Sequence, residues 1–377
     1  MSTTSFWERE HLLKFDFIVI GAGIVGLTTA INLRKKYRKA SIAILEKGLL
    51  PSGASTKNAG FACFGSPTEL WSDLSKHKKE DVLDLVTRRW EGLRKLRELT
   101  GDHKIDYENL GGFEIIPKSI KFDKEKLDFL NELLHPIFKE RVYINSNSLI
   151  DSFGINKDYV ESLVKNTFEG QLNTGKLIKR LMQIVHQNDI TLHSGCSVEK
   201  LEDKSSFVEL LCSSDNSQHL FKANKVAVCT NGFVQKLITE IDVQPARGTV
   251  LVTKPIKNLR IKGSFHYDEG FFYFRNIENR ILLGGGRKLD FENEKTTSLD
   301  INQKIFERLK SDLHDNILPN TTTEIDMVWS GIMGFSDHKR PILKTYSNNI
   351  AVGVALGGMG VAIGALVGEE LAEHVIR

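Results

Sequence analysis

The sequence predicts a parallel-sheet α/β domain into which an α+β domain, built on an antiparallel sheet, is inserted. Three observations predict it. A β-branched run, Phe17 to Ile20, leads through Gly21-Ala22-Gly23-Ile24-Val25-Gly26 into helically spaced apolar residues from Leu27 to Lys36, and a second buried strand, Ser41 to Leu45, ends on Glu46. Largely apolar strands of the parallel type recur near residues 17, 42, 226 and 351, far apart in the chain. Hairpin-like strands fall between them, above all over residues 245–290.

The first element is strand, glycine turn, helix, strand, and each residue type has a mechanical reason for its place. Gly21 permits the tight turn, Gly23 leaves no Cβ in the way of a pyrophosphate, and Gly26 lets the helix lie close on the strand. The unpartnered N–H groups of the helix start, at Ile24 and Val25, and its dipole favour phosphate charge there. Glu46, followed by Lys47, stands where an acid accepts from ribose hydroxyls and repels a 2′-phosphate. This argues for FAD or NAD over NADP.

The remaining elements follow in order. Residues 51–66 are too rich in small residues for a packed strand and too apolar for a surface linker, which suits a backbone approaching a ligand. Thr68 to Thr100 reads as a long amphipathic helix or helix pair, Asp106 to Ile116 as extended and Phe122 to Phe138 as helical. A turn and then a helix within 170–187 precede alternating strands at Thr191 to Val198 and Val208 to Cys212, and the apolar strand Lys225 to Thr230 runs into Asn231-Gly232. Arg247 to Thr253, Gly270 to Arg275 and Ile281 to Gly284 are strands, the last two a hairpin. Glu294 to Leu313 reads as helical and Ile325 to Ile332 as extended. The uncharged stretch Ile350 to Gly368 has the small-residue spacing of a membrane helix, yet Gly353, Gly357 and Gly358 divide it into strand, turn and helix.

At 377 residues the chain can bury a large core, and its formal net charge of +3, with both signs interspersed, marks no nucleic-acid partner. Four scattered cysteines without a CxxC pair, and a polar start from Met1 to His11, point to a reduced, cytoplasmic protein with no metal site. The interleaving of strand types places 1–66, 151–235 and 325–377 in the first domain and 67–150 with 236–324 in the second.

Taken together these stretches resemble the D-amino-acid oxidase family of FAD-dependent amine oxidoreductases, which includes glycine oxidase, sarcosine oxidase and gamma-glutamylputrescine oxidoreductase. The resemblance rests on the fingerprint through Glu46, the loop Gly53 to Gly60, the strand Val226 to Thr230 with Asn231-Gly232, Trp329 to Pro341, and Ala355 to Gly360 leading into a helix. It implies a glutathione-reductase-type, Rossmann-like FAD domain with the flavin at the boundary to an inserted substrate sheet. It further implies that Ser55 and Thr56 donate near the pyrophosphate, that Asn58, Ala59 and Gly60 run beside the flavin, and that Val198 reads the adenine edge. Thr230, Asn231 and Gly232 would close over phosphates and ribose, Gly331 would adjoin the cofactor, and Gly358, Met359 and Gly360 would turn a helix start toward the flavin.

The implied reaction oxidises the C–N bond of an amino acid or other amine to an imine, with oxygen or an electron carrier as final acceptor. An NAD-linked dehydrogenase and a non-catalytic flavin-binding subunit are the alternatives. The protein needs no nucleophile or metal for this chemistry, and no catalytic acid or base is assigned. Tyr273 and Arg275 share one strand face and Phe272 and Phe274 the other, so if the phenylalanines face the core the first pair faces a cleft; a solvated face is the alternative. Arg247 and Arg287 are further candidates, while adjacent residues His266, Tyr267 and Asp268 point to opposite faces and read as structural. Cys63, in the small-residue loop, reads as a buried apolar cysteine, with a covalent flavin bond as the alternative. Relatives in this family commonly carry a carboxylate-clamping arginine where this chain has Met333. Either another cation, Arg275 first among them, has taken over that role, or the substrate lacks an α-carboxylate.

Overall fold

The computed structural model describes residues 4–214 and 217–376. Two sheets organise them. The first runs in the order Ile342–Ser347, Ile350–Val354, Ser217–Val228, Lys14–Ile20, Ile42–Leu45, Thr191–His193, and its last five strands are mutually parallel. Lys14–Ile20 is central, so Ile20 lies level with Leu45 on one side and Val228 on the other. The long strand Ser217–Val228 also carries an antiparallel ribbon made by Val208–Ser214 and Ser197–Asp203.

Helices cover one face of this sheet, and glycines set the spacing of two of them. A Cβ on Gly368 of the helix Gly360–Ile376 would lie 2.0 Å from Thr28 Oγ1 of the helix Ile24–Lys36, and one on Gly364 would lie 2.9 Å from Ile24 Cγ2. The helix Lys79–Thr100 docks as tightly, since a Cβ on Gly92 would come 2.3 Å from the Ala362 carbonyl. Burial of Val19, Leu27, Ile31, Ile44, Ile363 and Val367 in one cluster stabilises this arrangement. The stretch from Ile350 onward thus divides into strand, turn and helix, and among the described residues no helix is long and apolar enough to cross a membrane.

The second sheet has the order Ile325–Phe335, Gln244–Thr253, Arg280–Gly285, Phe272–Ile277, Ser264–Tyr267, Gly112–Pro117, Val160–Asn166, Tyr143–Asn145. It is antiparallel except where Ser264–Tyr267 pairs in parallel with Gly112–Pro117. Phe272 and Phe274 pack against Phe265, Leu283 and the helix Gln303–Asp312, so one face of the hairpin is core. Two expectations differ. Val160–Asn166 and Ile325–Phe335 hydrogen-bond within this sheet, although both fall in ranges assigned from sequence to the first domain. Helix begins only at Gln303: Asn302 caps that start through Oδ1, and Glu294 is drawn off to pair with Arg247 at 2.6 Å.

Candidate active site

Strand ends of the first sheet and one face of the second enclose a cavity of about 670 Å³. From the first sheet it is lined by Gly21, Glu46, Thr230 and Leu356, all just beyond the carboxyl ends of parallel strands, where ligands of such sheets bind. The three fingerprint glycines do different things. Gly21 turns with φ +101° beneath the Cys229 carbonyl, 3.0 Å from where a Cβ would stand. A Cβ on Gly26 would sit 1.9 Å from the Gly21 carbonyl, so that glycine serves helix-to-strand contact and does not line the cavity. Gly23 does line it, along with Ile24 and Val25, and a Cβ there would meet Ser55 Oγ at 2.9 Å.

Around this turn the cavity suits a dinucleotide. Ser55 Oγ accepts from the Ile24 N–H at 3.0 Å, and the positions of a Cβ on Gly53 and on Gly358 have no atom within 4 Å. The Thr230 hydroxyl is buried without a hydrogen-bond partner among the described residues. Glu46 is held by the N–H groups of Ala22 at 2.9 Å and Gly48 at 3.0 Å. Lys47 lies 4.0 Å over the Phe233 ring, and both line the cavity with Val198. Asn231, at φ +47°, turns its amide oxygen to the N–H of Ala355 at 3.0 Å and so fixes the turn into Gly358, Met359 and Gly360, which also line it. Asn58, Ala59 and Gly331 do the same, Asn58 with its own amide holding the carbonyls of Ala54 and Ser55.

Besides Gly26, three expected cofactor residues stand elsewhere. The Thr56 hydroxyl is consumed by the Pro51 and Gly53 carbonyls at 2.8 and 3.1 Å. Gly60 is packed against the Leu172 carbonyl, which lies 2.3 Å from where a Cβ would stand, and Gly232 against that of Met333, at 2.5 Å. Neither the threonine nor these two glycines line the cavity.

On the second sheet, Val250, Gly284, Tyr273, His266 and Glu114 are direct partners across five strands and so share one face. The Tyr273 ring lies over Gly284, where a Cβ would be 2.8 Å from its Cε2. Tyr273 therefore faces the cavity, and burial pushes its phenol up to about 12. Arg275 does not. Its Nη1 donates to the carbonyls of Ala59, Gly60 and Leu172 at 3.3, 2.9 and 2.8 Å and its Nε to Asn276 at 3.0 Å. Desolvation lowers it to about 10. Arg275 is on the face that alternation indicated, but it is spent on the loop above it and cannot clamp a substrate.

Arg247 is likewise occupied, buried with Glu294. Arg287 lines the cavity with its guanidinium 4.2 Å from the Phe335 ring and 4.7 Å from that of Phe291. It makes no hydrogen bond or ion pair to any described residue; burial lowers its pKa, with distant Glu294 acting the other way. Met333 lines the cavity too, its Cε over Gly248. Cys63 lies 3.7 Å from Met359 Sδ, and desolvation pushes its thiol well up, which holds it protonated rather than as a nucleophilic thiolate. Sequence reasoning missed His266, Phe61, Phe335, Glu69 and Lys339, which all line the cavity. Of these Phe61 lies within the small-residue loop 51–66, Phe335 and Lys339 lie in the stretch 329–341 that carries the resemblance, and His266 reads from sequence as structural.

A dinucleotide cleft at the carboxyl edge of a parallel sheet, closed by the face of a second sheet, defines the class of two-domain, dinucleotide-dependent oxidoreductases. The chain belongs to the FAD dependent oxidoreductase family (DAO), whose model matches residues 16–374. It is 22% identical over 258 residues to the bifunctional protein ThiO/ThiG of Synechocystis sp., an alignment covering 63% of this chain and 33% of that protein. The chain thus spans about a third of the length of that curated relative. Among solved structures, L-proline dehydrogenase from P. horikoshii superposes with a TM-score of 0.76 at 16% identity, covering 96% of this chain and 92% of the other. Glycine oxidase from Geobacillus kaustophilus superposes with a TM-score of 0.74 at 19% identity, covering 97% and 95%.

Proposed function

We propose that this chain binds FAD along the fingerprint and oxidises the C–N bond of an amino acid to an imine. Bound FAD would supply the hydride acceptor, and the imine then hydrolyses in water. The protein's part is to bind, orient and exclude water. Gly23, Ser55 and Thr230 would hold the phosphates, Glu46 the ribose, and the turn Gly358 to Gly360 would bring a helix start to the flavin, where N–H groups favour negative charge.

The observation that carries the amino-acid reading is Arg287: a largely buried guanidinium in the cavity, flanked by two aromatic rings and without an anion among the described residues. Such a group favours a carboxylate, and Tyr273 offers a second donor on the same wall. The alternative, an amine lacking an α-carboxylate, is favoured by Glu69 and Glu269, which also line the cavity. Anaerobic mixing of the yellow holoprotein with D- and L-amino acids, N-methyl amino acids and polyamine conjugates separates these. Bleaching of the flavin by amino acids is expected. Bleaching by polyamines alone would favour the alternative, an unchanged spectrum throughout would mean a non-catalytic subunit, and a colourless protein that binds NAD would mean a dehydrogenase of the other class.

A further inference from the structure

His266, Tyr267 and Asp268 are consecutive, yet the structure sends them to three different environments. The Tyr267 hydroxyl donates to Asp312 in the core at 2.9 Å, and Asp268 turns outward to Lys288. His266 lies on the other face of the strand and lines the cavity. Its neighbours in register are Tyr273 and Glu114. Neither serves it. Tyr273 leans over Gly284, and the Glu114 carboxylate is taken by the Ser66 hydroxyl at 3.0 Å and the Thr68 N–H at 2.9 Å. The remaining contact is apolar, with the Phe61 ring edge-on at 5.0 Å. The imidazole is 8% exposed, makes no hydrogen bond to any described residue, and its Nε2 is buried without a partner. Orphaned buried polar groups are rare in folded proteins and need a reason.

We propose that His266 is the substrate's hydrogen-bond acceptor on the sheet wall of the cavity, taking an N–H of the amine that is oxidised. This rests on the reading given under Proposed function. Desolvation alone lowers the imidazole to about 4, so near neutral pH it presents a lone pair and no charge to repel an amine. From the helices Pro67–Lys76 and Lys79–Thr100 the charged side chains Glu69, Lys76 and Arg89 line the cavity, and Glu69 and Arg89 are joined to each other at 3.5 Å. Holding one N–H fixes where the nitrogen lone pair points, and that pair becomes the new C=N bond. His266 is therefore a positioning group, and no proton need pass to it.

The test compares each amine with an analogue in which carbon replaces nitrogen: glycine with propionate, sarcosine with butyrate, L-proline with cyclopentanecarboxylate. Binding of the analogues is read from perturbation of the flavin spectrum, and binding and reduction by the amines from anaerobic stopped flow. For FAD-loaded His266→Phe, amine binding or bleaching should weaken by roughly 10-fold while analogue binding moves less than about twofold. His266→Gln, which keeps an acceptor, should recover part of the loss. Equal losses for amine and analogue, or none, would overturn the proposal. Should the phenylalanine variant fail to hold FAD, the imidazole ¹⁵N signal of wild-type protein decides, since it should shift with the amine and not with the analogue. If no amine bleaches the wild-type flavin, the functional reading itself fails and takes this inference with it; a variant result on a bleaching enzyme bears on His266 alone.

Discussion

The Arg275 guanidinium donates to the Gly60 carbonyl at 2.9 Å, and that one contact joins the second sheet to the loop running from the first. Arg275 belongs to the strand Phe272–Ile277 and Gly60 to the loop, and the Leu172 carbonyl completes the junction at 2.8 Å. The cavity between the sheets is thus braced by a charge that never meets its contents.

Arg275→Met should therefore act on stability. Hydrogen bonds from a charged group contribute about 1.5–3 kcal/mol, and carbonyls left buried without a donor add to the loss. A fall in Tm and faster loss of FAD are expected, with an unchanged KM in whatever holoprotein remains. A large rise in KM without a fall in Tm would return Arg275 to the substrate.

Arg287→Met should act on catalysis. Losing a desolvated arginine–carboxylate contact costs about 2–5 kcal/mol, or roughly 30- to several-thousand-fold in kcat/KM. The loss should be confined to substrates with an α-carboxylate, with Tm only slightly lowered because the guanidinium makes no hydrogen bond or ion pair to any described residue and loses only its contacts with the Phe335 and Phe291 rings. Steady-state kinetics on the best substrate of the anaerobic screen would show it, and a change below about threefold would count against a buried ion pair.

Gly23 and Gly26 should fail differently. Gly23→Val places a branched side chain in the cavity against Ser55 Oγ, 2.9 Å away, so folded, colourless protein is expected. Gly26→Ala meets the Gly21 carbonyl at 1.9 Å, which backbone cannot yield, so loss of soluble protein is expected. Circular dichroism and the flavin absorbance of the purified proteins separate the two. Adding FAD should raise the Tm of stripped wild-type protein with concentration, by about 2.7 kcal/mol of stability at a hundred times Kd, and leave Gly23→Val unmoved.

Stability should fall toward alkaline pH. Burial raises Glu114 to about 7 and Glu169 to about 8, both from 4.5. The folded chain thus retains protons that the unfolded chain gives up, and stability is full below about pH 4.5 and declines as pH rises through the folded values. Each proton contributes a slope of about 1.4 kcal/mol per pH unit inside that window. Denaturant midpoints should be lower at pH 8.5 than at pH 6, and Glu169→Gln should flatten the difference. Glu169 accepts from Phe64 and Gly65, at the edge of the loop that lines the cavity, so FAD retention should follow the same trend.

Much of this was legible because it is local. The fingerprint from Phe17 to Glu46 states its strand, turn and helix in residue type and spacing, and alternation separated Phe272 and Phe274 from Tyr273 and Arg275, while only the structure shows that the phenylalanines take the core. Alternation stops at the face, however. Arg275 lies beneath residues 59 and 60, a meeting of segments more than two hundred positions apart that no periodicity records. His266 read as structural for the same reason, since its neighbours Phe61, Tyr273 and Glu114 come from three separate segments. Glu294 to Leu313 looked helical by pattern, but the tertiary pair with Arg247 claims Glu294 and shifts the helix start to the Asn302 cap.

The tight seat of the helix Gly360–Ile376 on the helix Ile24–Lys36 also has a consequence in time. Lys36 and Glu373 meet at 2.9 Å across 337 positions of chain. During synthesis the fingerprint leaves the ribosome early, but its covering helix, and the parallel strand Ile350–Val354 beside Ser217–Val228, emerge only after nearly everything between. Pairings at such separation form slowly and leave apolar surface open meanwhile. The nascent chain therefore carries the first sheet without its last helix and its strand Ile350–Val354 through most of its translation, with their apolar contact surface open.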